Sequence, residues 1–168
     1  MKNNKLSSCL TVIVLLFLSA ITAVSQVQAQ PFNLKPLESS RVTYDKKING
    51  LVTVAMIFQP DCSWCKKQGK LLELAFKQCQ SSMNIALVGT KGSSRQLRKE
   101  LKHYHNDIPA FIADRKFLRS IGGYQASPTT LIYNEQGKLI VKKRGFISAE
   151  KLAGALAIIS QDACHINI

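Results

Sequence analysis

The sequence predicts a single α/β domain with a mixed central sheet flanked by helices, set behind an N-terminal leader. Three observations predict it. Residues 51–58 (LVTVAMIF) are an unbroken apolar, β-rich run of eight, the pattern of a strand buried on both faces. Segments whose apolar residues recur at helical spacing alternate with such runs. The last third reads as a hairpin followed by a helix. A chain of 168 residues with 46% hydrophobic content can bury one ordinary core, and is too apolar to be wholly disordered.

Taken in order, residues 1–29 read as a secretory signal peptide. Lys2 and Lys5 stand without an acid, residues 10–24 are apolar apart from Ser and Thr, and Val27-x-Ala29 offers small residues for cleavage. The alternative is a retained anchor, although the run is shorter than the ~20 residues of a membrane span. Cleavage near Ala29 removes Cys9 and leaves 139 residues with four cysteines, in a periplasmic or secreted setting where thiols meet oxidants. Residues 30–47, with Pro31 and Pro36, form a loose lead-in holding at most one short edge element.

Residues 48–160 carry the domain. The strand at 51–58 is broken by Pro60-Asp61-Cys62, and a helix follows over 63–80 with Leu71, Leu72, Leu74, Ala75 and Phe76 at helical spacing. A second strand at 85–88 closes on Gly89-Thr90-Lys91-Gly92. Ser93 is placed to cap a basic helix running through Lys102. A short segment at 108–113 precedes a helix over 115–121, stopped by Gly122-Gly123. Strand 129–133, the turn Asn134-Glu135-Gln136-Gly137 and strand 138–143 make the hairpin. Ser148-x-Glu150 opens the last helix, with Leu152, Ala155, Leu156 and Ile159 on one face. Residues 161–168 are a tail.

Charge narrows the partners. Loss of Lys2 and Lys5 with the leader leaves 21 basic against 10 acidic residues, a net +11. The cations are scattered in short groups such as Lys66-Lys67 and Lys142-Lys143-Arg144, with no stacking aromatic series between them. That pattern describes a solvated basic surface, an acidic protein partner or an anionic membrane surface, and argues against nucleic acid.

The chemistry is concentrated in Cys62-Ser63-Trp64-Cys65, after a buried strand and at a helix start. There Cys62 meets unpaired backbone N–H groups and the positive end of the helix dipole, both of which favour thiolate. Lys66 and Lys67 add positive charge, and Asp61 opposes it. Cys65, one turn on, is placed to resolve a mixed disulfide by attacking Cys62. Trp64 offers substrate a flat apolar contact. Zinc would need two further ligands, but Cys79, His103, His105 and Cys164-His165 are dispersed, and no Met-rich stretch supports copper. No metal or cofactor is expected, and His103 and His105 read as solvated.

With its strand, CxxC at a helix start, Ser127-Pro128-Thr129-Thr130 opening a hairpin, the G-x-L-I-V-x-x-x-G pattern ending at Gly145 and a terminal helix, the chain resembles the thioredoxin superfamily. The similarity spans residues 48–160 and is nearest to exported TlpA-like and SoxW/DsbC-like thiol–disulfide proteins. It implies the thioredoxin fold, with Pro128 as a cis-proline facing the two cysteines and Ser127 presenting backbone to a substrate strand. A trans proline starting an edge strand is the alternative. Two departures stand out: Met56 occupies the place of the family's buried acid, and Asp61 that of the tryptophan before the first cysteine. In the fold the chain resembles, the CxxC helix and the terminal helix lie on the same side of the sheet. The resemblance thus implies a structural disulfide between Cys79 and Cys164, the alternative being two unrelated thiols.

The function expected is an exported thiol–disulfide oxidoreductase. Cys62 and Cys65 would be catalytic, cycling as a redox-active disulfide, with Trp64, Ser127 and Pro128 framing the substrate. Its partners would be cysteine-containing exported proteins and a membrane thiol electron donor or acceptor, and the chain would be a monomer. The rival function is a binding module, a chaperone or copper-delivery adaptor using the CxxC as a ligand pair. The sequence leaves open whether the direction is reduction, oxidation or isomerisation.

Overall fold

A six-stranded mixed sheet organises the computed structural model, which describes residues 34–38 and 50–167. The leader, its cleavage site and most of the lead-in lie outside the described residues. In chain order the elements are β1 (Lys35–Pro36), β2 (Val52–Phe58), α1 (Ser63–Cys79) and β3 (Met83–Gly89). Then come α2 (Ser94–Glu100) with a 3-10 turn (Leu101–His103), β4 (Ala110–Ile112), α3 (Arg115–Ser120), β5 (Thr129–Tyr133), β6 (Leu139–Arg144) and α4 (Ala149–Ile159). The strand order is β1-β4-β3-β2-β5-β6. β2, β3 and β4 run parallel, while β5, β6 and β1 are antiparallel to their neighbours.

β2 sits inside the sheet and is buried along its whole length, which is why its sequence shows no polar alternation. Its alternate residues feed two cores. Val54, Met56 and Phe58 join Leu72, Leu97, Leu152 and Leu156 from α1, α2 and α4. Ala55 and Ile57 join Leu131, Phe117 and Ile121 on the opposite face. The close seating of α1 has a local cause: a Cβ on Gly69 would lie 2.3 Å from Tyr104 Cδ1, so the ring packs where a side chain would have been.

Element ends follow their sequence signals with some adjustments. Ser93 and Gln96 form a reciprocal capping box at α2. The helix expected through Lys102 tightens into the 3-10 turn after Glu100. β3 starts at Met83, two residues earlier than the apolar run suggested, because Met83 pairs with Val52. Asn134 Oδ1 accepts the N–H groups of Gln136 and Lys138, closing the hairpin turn. The tail also docks: Cys164 and Ile166 are buried in the main core. His105 packs at a tilt against Phe76 with ring centroids 5.3 Å apart, and both His103 and His105 are half-buried where solvated histidines were expected.

Candidate active site

β2 delivers the chain through Gln59-Pro60-Asp61 to the start of α1. Asp61 adopts a left-handed φ of 56°, a conformation open to Asp and Asn more than to most side chains. The turn sets Cys62 at the N-cap, with extended backbone, and its Sγ accepts the Cys65 N–H at 3.1 Å. The sulfur thus occupies the place where orphan N–H groups and the helix dipole favour negative charge. Cys62 and Cys65 are joined by a disulfide of 2.07 Å. Cys62 is half-buried and Cys65 wholly buried, so the first cysteine is the one open to a partner.

The Ser127–Pro128 peptide is cis. Pairing of Ile57 with Thr129 puts Pro128 at the end of the sheet where β2 leads into Cys62. The Gly145 N–H donates to the Pro128 carbonyl at 2.8 Å and holds this loop from the β6 side. From the other side, the Tyr124 hydroxyl donates to Gln59 Oε1 at 3.0 Å and shares a second hydrogen bond with Ser127 Oγ. One phenol therefore links the residue before the cis-proline to the turn before Cys62. Burial pushes its pKa up, partly offset by the bond to Ser127.

Trp64 is 52% exposed beside the disulfide. Its ring meets Phe146 at 5.3 Å between centroids, and the Lys67 ammonium stands 4.4 Å from its centroid. Beneath the helix, Met56 is fully buried, and Glu100 approaches α1 with a carboxylate oxygen 3.7 Å from Lys66 Nζ. At the far end of α1, Cys79 and Cys164 are joined with an S–S distance of 2.01 Å. The tail beyond this bridge is tied again by the Asn167 N–H, which donates to Gln78 Oε1 at 3.0 Å.

Four residues of this site escaped the sequence reading: Gln68, Glu100, Tyr124 and Phe146. Gln68 did carry a signal, as a polar residue three after Cys65 on the inward face of α1. Its partner did not, since its Oε1 accepts the Ile147 N–H from a segment 79 residues away.

A parallel core of β2, β3 and β4, an antiparallel β5–β6 hairpin, a cysteine pair at the first helix start and a cis-proline opening the hairpin together make the thioredoxin fold. No protein-family model matches the sequence, and no curated protein matches it either. Solved structures do match in fold. The chain is similar to a thioredoxin-family thiol:disulfide interchange protein of Chlorobium tepidum (TM-score 0.60, 14% identity, 67% of this chain and 81% of that one). It is similar to the exposed lipoprotein thioredoxin of Streptococcus pneumoniae (TM-score 0.62, 20% identity, covering 76% and 98%). It is also similar to a secreted Mycobacterium tuberculosis disulfide oxidoreductase homologous to Escherichia coli DsbE (TM-score 0.61, 15% identity, covering 76% and 96%). At these identities the likeness is one of fold.

Proposed function

We propose that this chain is an exported thiol–disulfide oxidoreductase that exchanges disulfides with cysteine pairs of other exported proteins. The observation that carries the reading is the Cys62–Cys65 disulfide at the N-terminus of α1, with the first cysteine accessible and the second buried. In the reducing direction, the Cys62 thiolate attacks one sulfur of a substrate disulfide, forming a mixed disulfide and releasing a substrate thiolate. The Cys65 thiolate then attacks Cys62 Sγ, closing the 62–65 bond and releasing the second substrate thiolate. Two electrons pass from the protein dithiol to the substrate, and the oxidising direction is the reverse. Ser127 and Pro128 frame the substrate backbone, and Trp64 packs against it.

The leader's composition supports export, and two of the proteins similar in fold are described as exposed or secreted. The chain acts as a monomer and exchanges electrons with a membrane thiol donor or acceptor. The test is titration of the Cys62–Cys65 pair against glutathione buffers, read by thiol alkylation and mass shift, alongside turnover of a protein disulfide. A defined potential, with turnover lost in Cys62→Ser, is the expected result. A potential well below the glutathione poise marks a reductant and one well above it an oxidant. Turnover that survives Cys62→Ser contradicts the mechanism, and stoichiometric copper held by both sulfurs in its place points to the binding module.

A further inference from the structure

The rim around the disulfide carries two ammonium groups laid over aromatic rings on opposite flanks. On one flank, the Thr90 N–H donates to the Phe58 carbonyl at 2.9 Å, and a Cβ on Gly92 would fall 2.6 Å from Pro60 Cγ. Lys91, between these two contacts, is thereby fixed beside the turn that leads into Cys62. Its φ of 52° is left-handed, a conformation in which glycine or asparagine is ordinarily preferred. The exposed side chain places Nζ 5.1 Å from the centroid of Tyr124, the ring bonded to both Gln59 and Ser127. On the other flank, Lys67 Nζ lies over Trp64, which pairs with Phe146. Trp64 and Phe146 are 52% and 37% exposed, so an apolar surface adjoins Lys67 beside the disulfide.

Resting on the thiol–disulfide reading above, we propose that this rim docks acidic, extended polypeptide segments that carry the target cysteine. An apolar side chain of such a segment covers Trp64 and Phe146, while carboxylates on either side of its cysteine meet Lys67 and Lys91. A basic segment would bring like charge against both lysines, and a wholly apolar one would desolvate them without compensation. Asp61 is the opposing charge within the rim. Two further acids are engaged elsewhere, Glu100 with Lys66 and Asp114 with the Phe117 N–H. The chain's excess of 23 basic over 10 acidic residues extends the same preference to longer range and disfavours a second copy of the chain as occupant.

The experiment compares two disulfide-bearing peptides of identical length and apolar content, one with Glu and one with Lys flanking the cysteines. Single-turnover exchange with the reduced protein is followed through Trp64, the only tryptophan of the chain. At low ionic strength the acidic peptide is expected to exchange about five- to ten-fold faster, the scale of two exposed ion pairs plus steering. The advantage should shrink to about two-fold or less at ~0.5 M salt. Lys67→Gln with Lys91→Asn, the latter suited to the left-handed backbone, should bring the ratio of the two rates close to one. Equal rates with the wild-type protein, or a preference that persists in the double variant, overturn the charge assignment while leaving the thiol–disulfide reading standing. Slowing of exchange by dimer formation as protein concentration rises overturns it in favour of a second copy. Failure of the reduced protein to exchange with either peptide, together with failure of dithiothreitol to open the Cys62–Cys65 disulfide of the oxidised protein, overturns the thiol–disulfide reading and this inference with it.

Discussion

Gln68 Oε1 accepts the backbone N–H of Ile147 at 2.7 Å, joining the helix that starts at Cys62 to the segment between β6 and α4. Gln68 is wholly buried and stands three residues after Cys65, while Phe146, next to its partner, packs on Trp64. The contact thus couples the cysteine helix to the aromatic pair beside the disulfide.

Gln68→Leu keeps most of the volume but leaves the Ile147 N–H without its acceptor. The Ile147 N–H, on a half-buried residue, loses a bond worth about 0.5–1.5 kcal/mol, set against the gain from removing the buried Nε2, which has no partner among the described residues. The net expectation is destabilisation of no more than about 1 kcal/mol by urea denaturation, with a changed Trp64 emission reporting looser packing against Phe146. Unaltered stability and emission together would show that the bond is dispensable.

Tyr104 gives a prediction with a pH signature. Its ring fills the space above Gly69 and lies 5.3 Å from Phe58, but its buried hydroxyl has no hydrogen-bond partner among the described residues. Burial, and secondarily the charge of Glu100, push its pKa well above the ordinary 10.0. Above pH ~10 the unfolded chain releases this proton while the folded chain keeps it, so stability falls as pH rises. Burial raises Tyr133 in the same direction. Tyr104→Phe should add up to about 1 kcal/mol at neutral pH by removing the unmet hydroxyl. The difference from wild type should widen above pH 10, as followed by thermal unfolding across alkaline buffers. A constant difference at all pH values would count against the linkage.

The sequence made the central elements legible because burial on both faces leaves a continuous apolar run, as in β2, and one-sided burial leaves helical spacing, as in α1. It was less informative where a side chain satisfies a distant backbone group or loop. Tyr124 reaches Gln59 across 65 residues and Gln68 reaches Ile147 across 79, and no local pattern encodes either. Leu139, Ile140 and Val141 look like core by composition. Yet β6 is an edge strand with a register shift opposite Ile132/Tyr133, and Ile140 and Val141 are 49% and 39% exposed. Likewise the polar tail 161–168 gave no hint that Ile166 would be buried, since a cross-link rather than periodicity pins it.

The two disulfides should differ in reactivity. Cys79 and Cys164 are each 1% exposed, whereas Cys62 is half-buried at a helix start. Exchange requires access for an attacking thiolate, so mild reductant should open Cys62–Cys65 first. Alkylation and peptide mapping should then find label at 62 and 65 before any at 79 or 164. Simultaneous release of four thiols would contradict this order. Replacing Cys79 and Cys164 by Ser should lower stability by up to about 4–5 kcal/mol in the chain-entropy model, given a separation of 85 residues. The loss should appear as a lower denaturant midpoint.

The last prediction concerns the electrostatics of Cys62 itself. In the disulfide form its Sγ already accepts the Cys65 N–H at 3.1 Å, and the same donor is available to a thiolate after reduction. With the helix N-terminus and Lys66 and Lys67 nearby, its titration midpoint should fall below the ~8.5 of a free cysteine. Asp61, immediately before it, opposes that fall. Asp61→Asn removes the charge and keeps a side chain compatible with the φ of 56°, so the turn can stand while the midpoint drops further. The gain in thiolate fraction at pH 7 is partly offset by lower intrinsic nucleophilicity, so alkylation by iodoacetamide should quicken by only about two-fold. The full rate-against-pH curve separates the two effects, because at high pH, where both proteins are fully thiolate, the variant should be the slower. A variant curve displaced to higher pH would mean that Asp61 assists the thiolate, through the conformation of the turn, more than its charge opposes it.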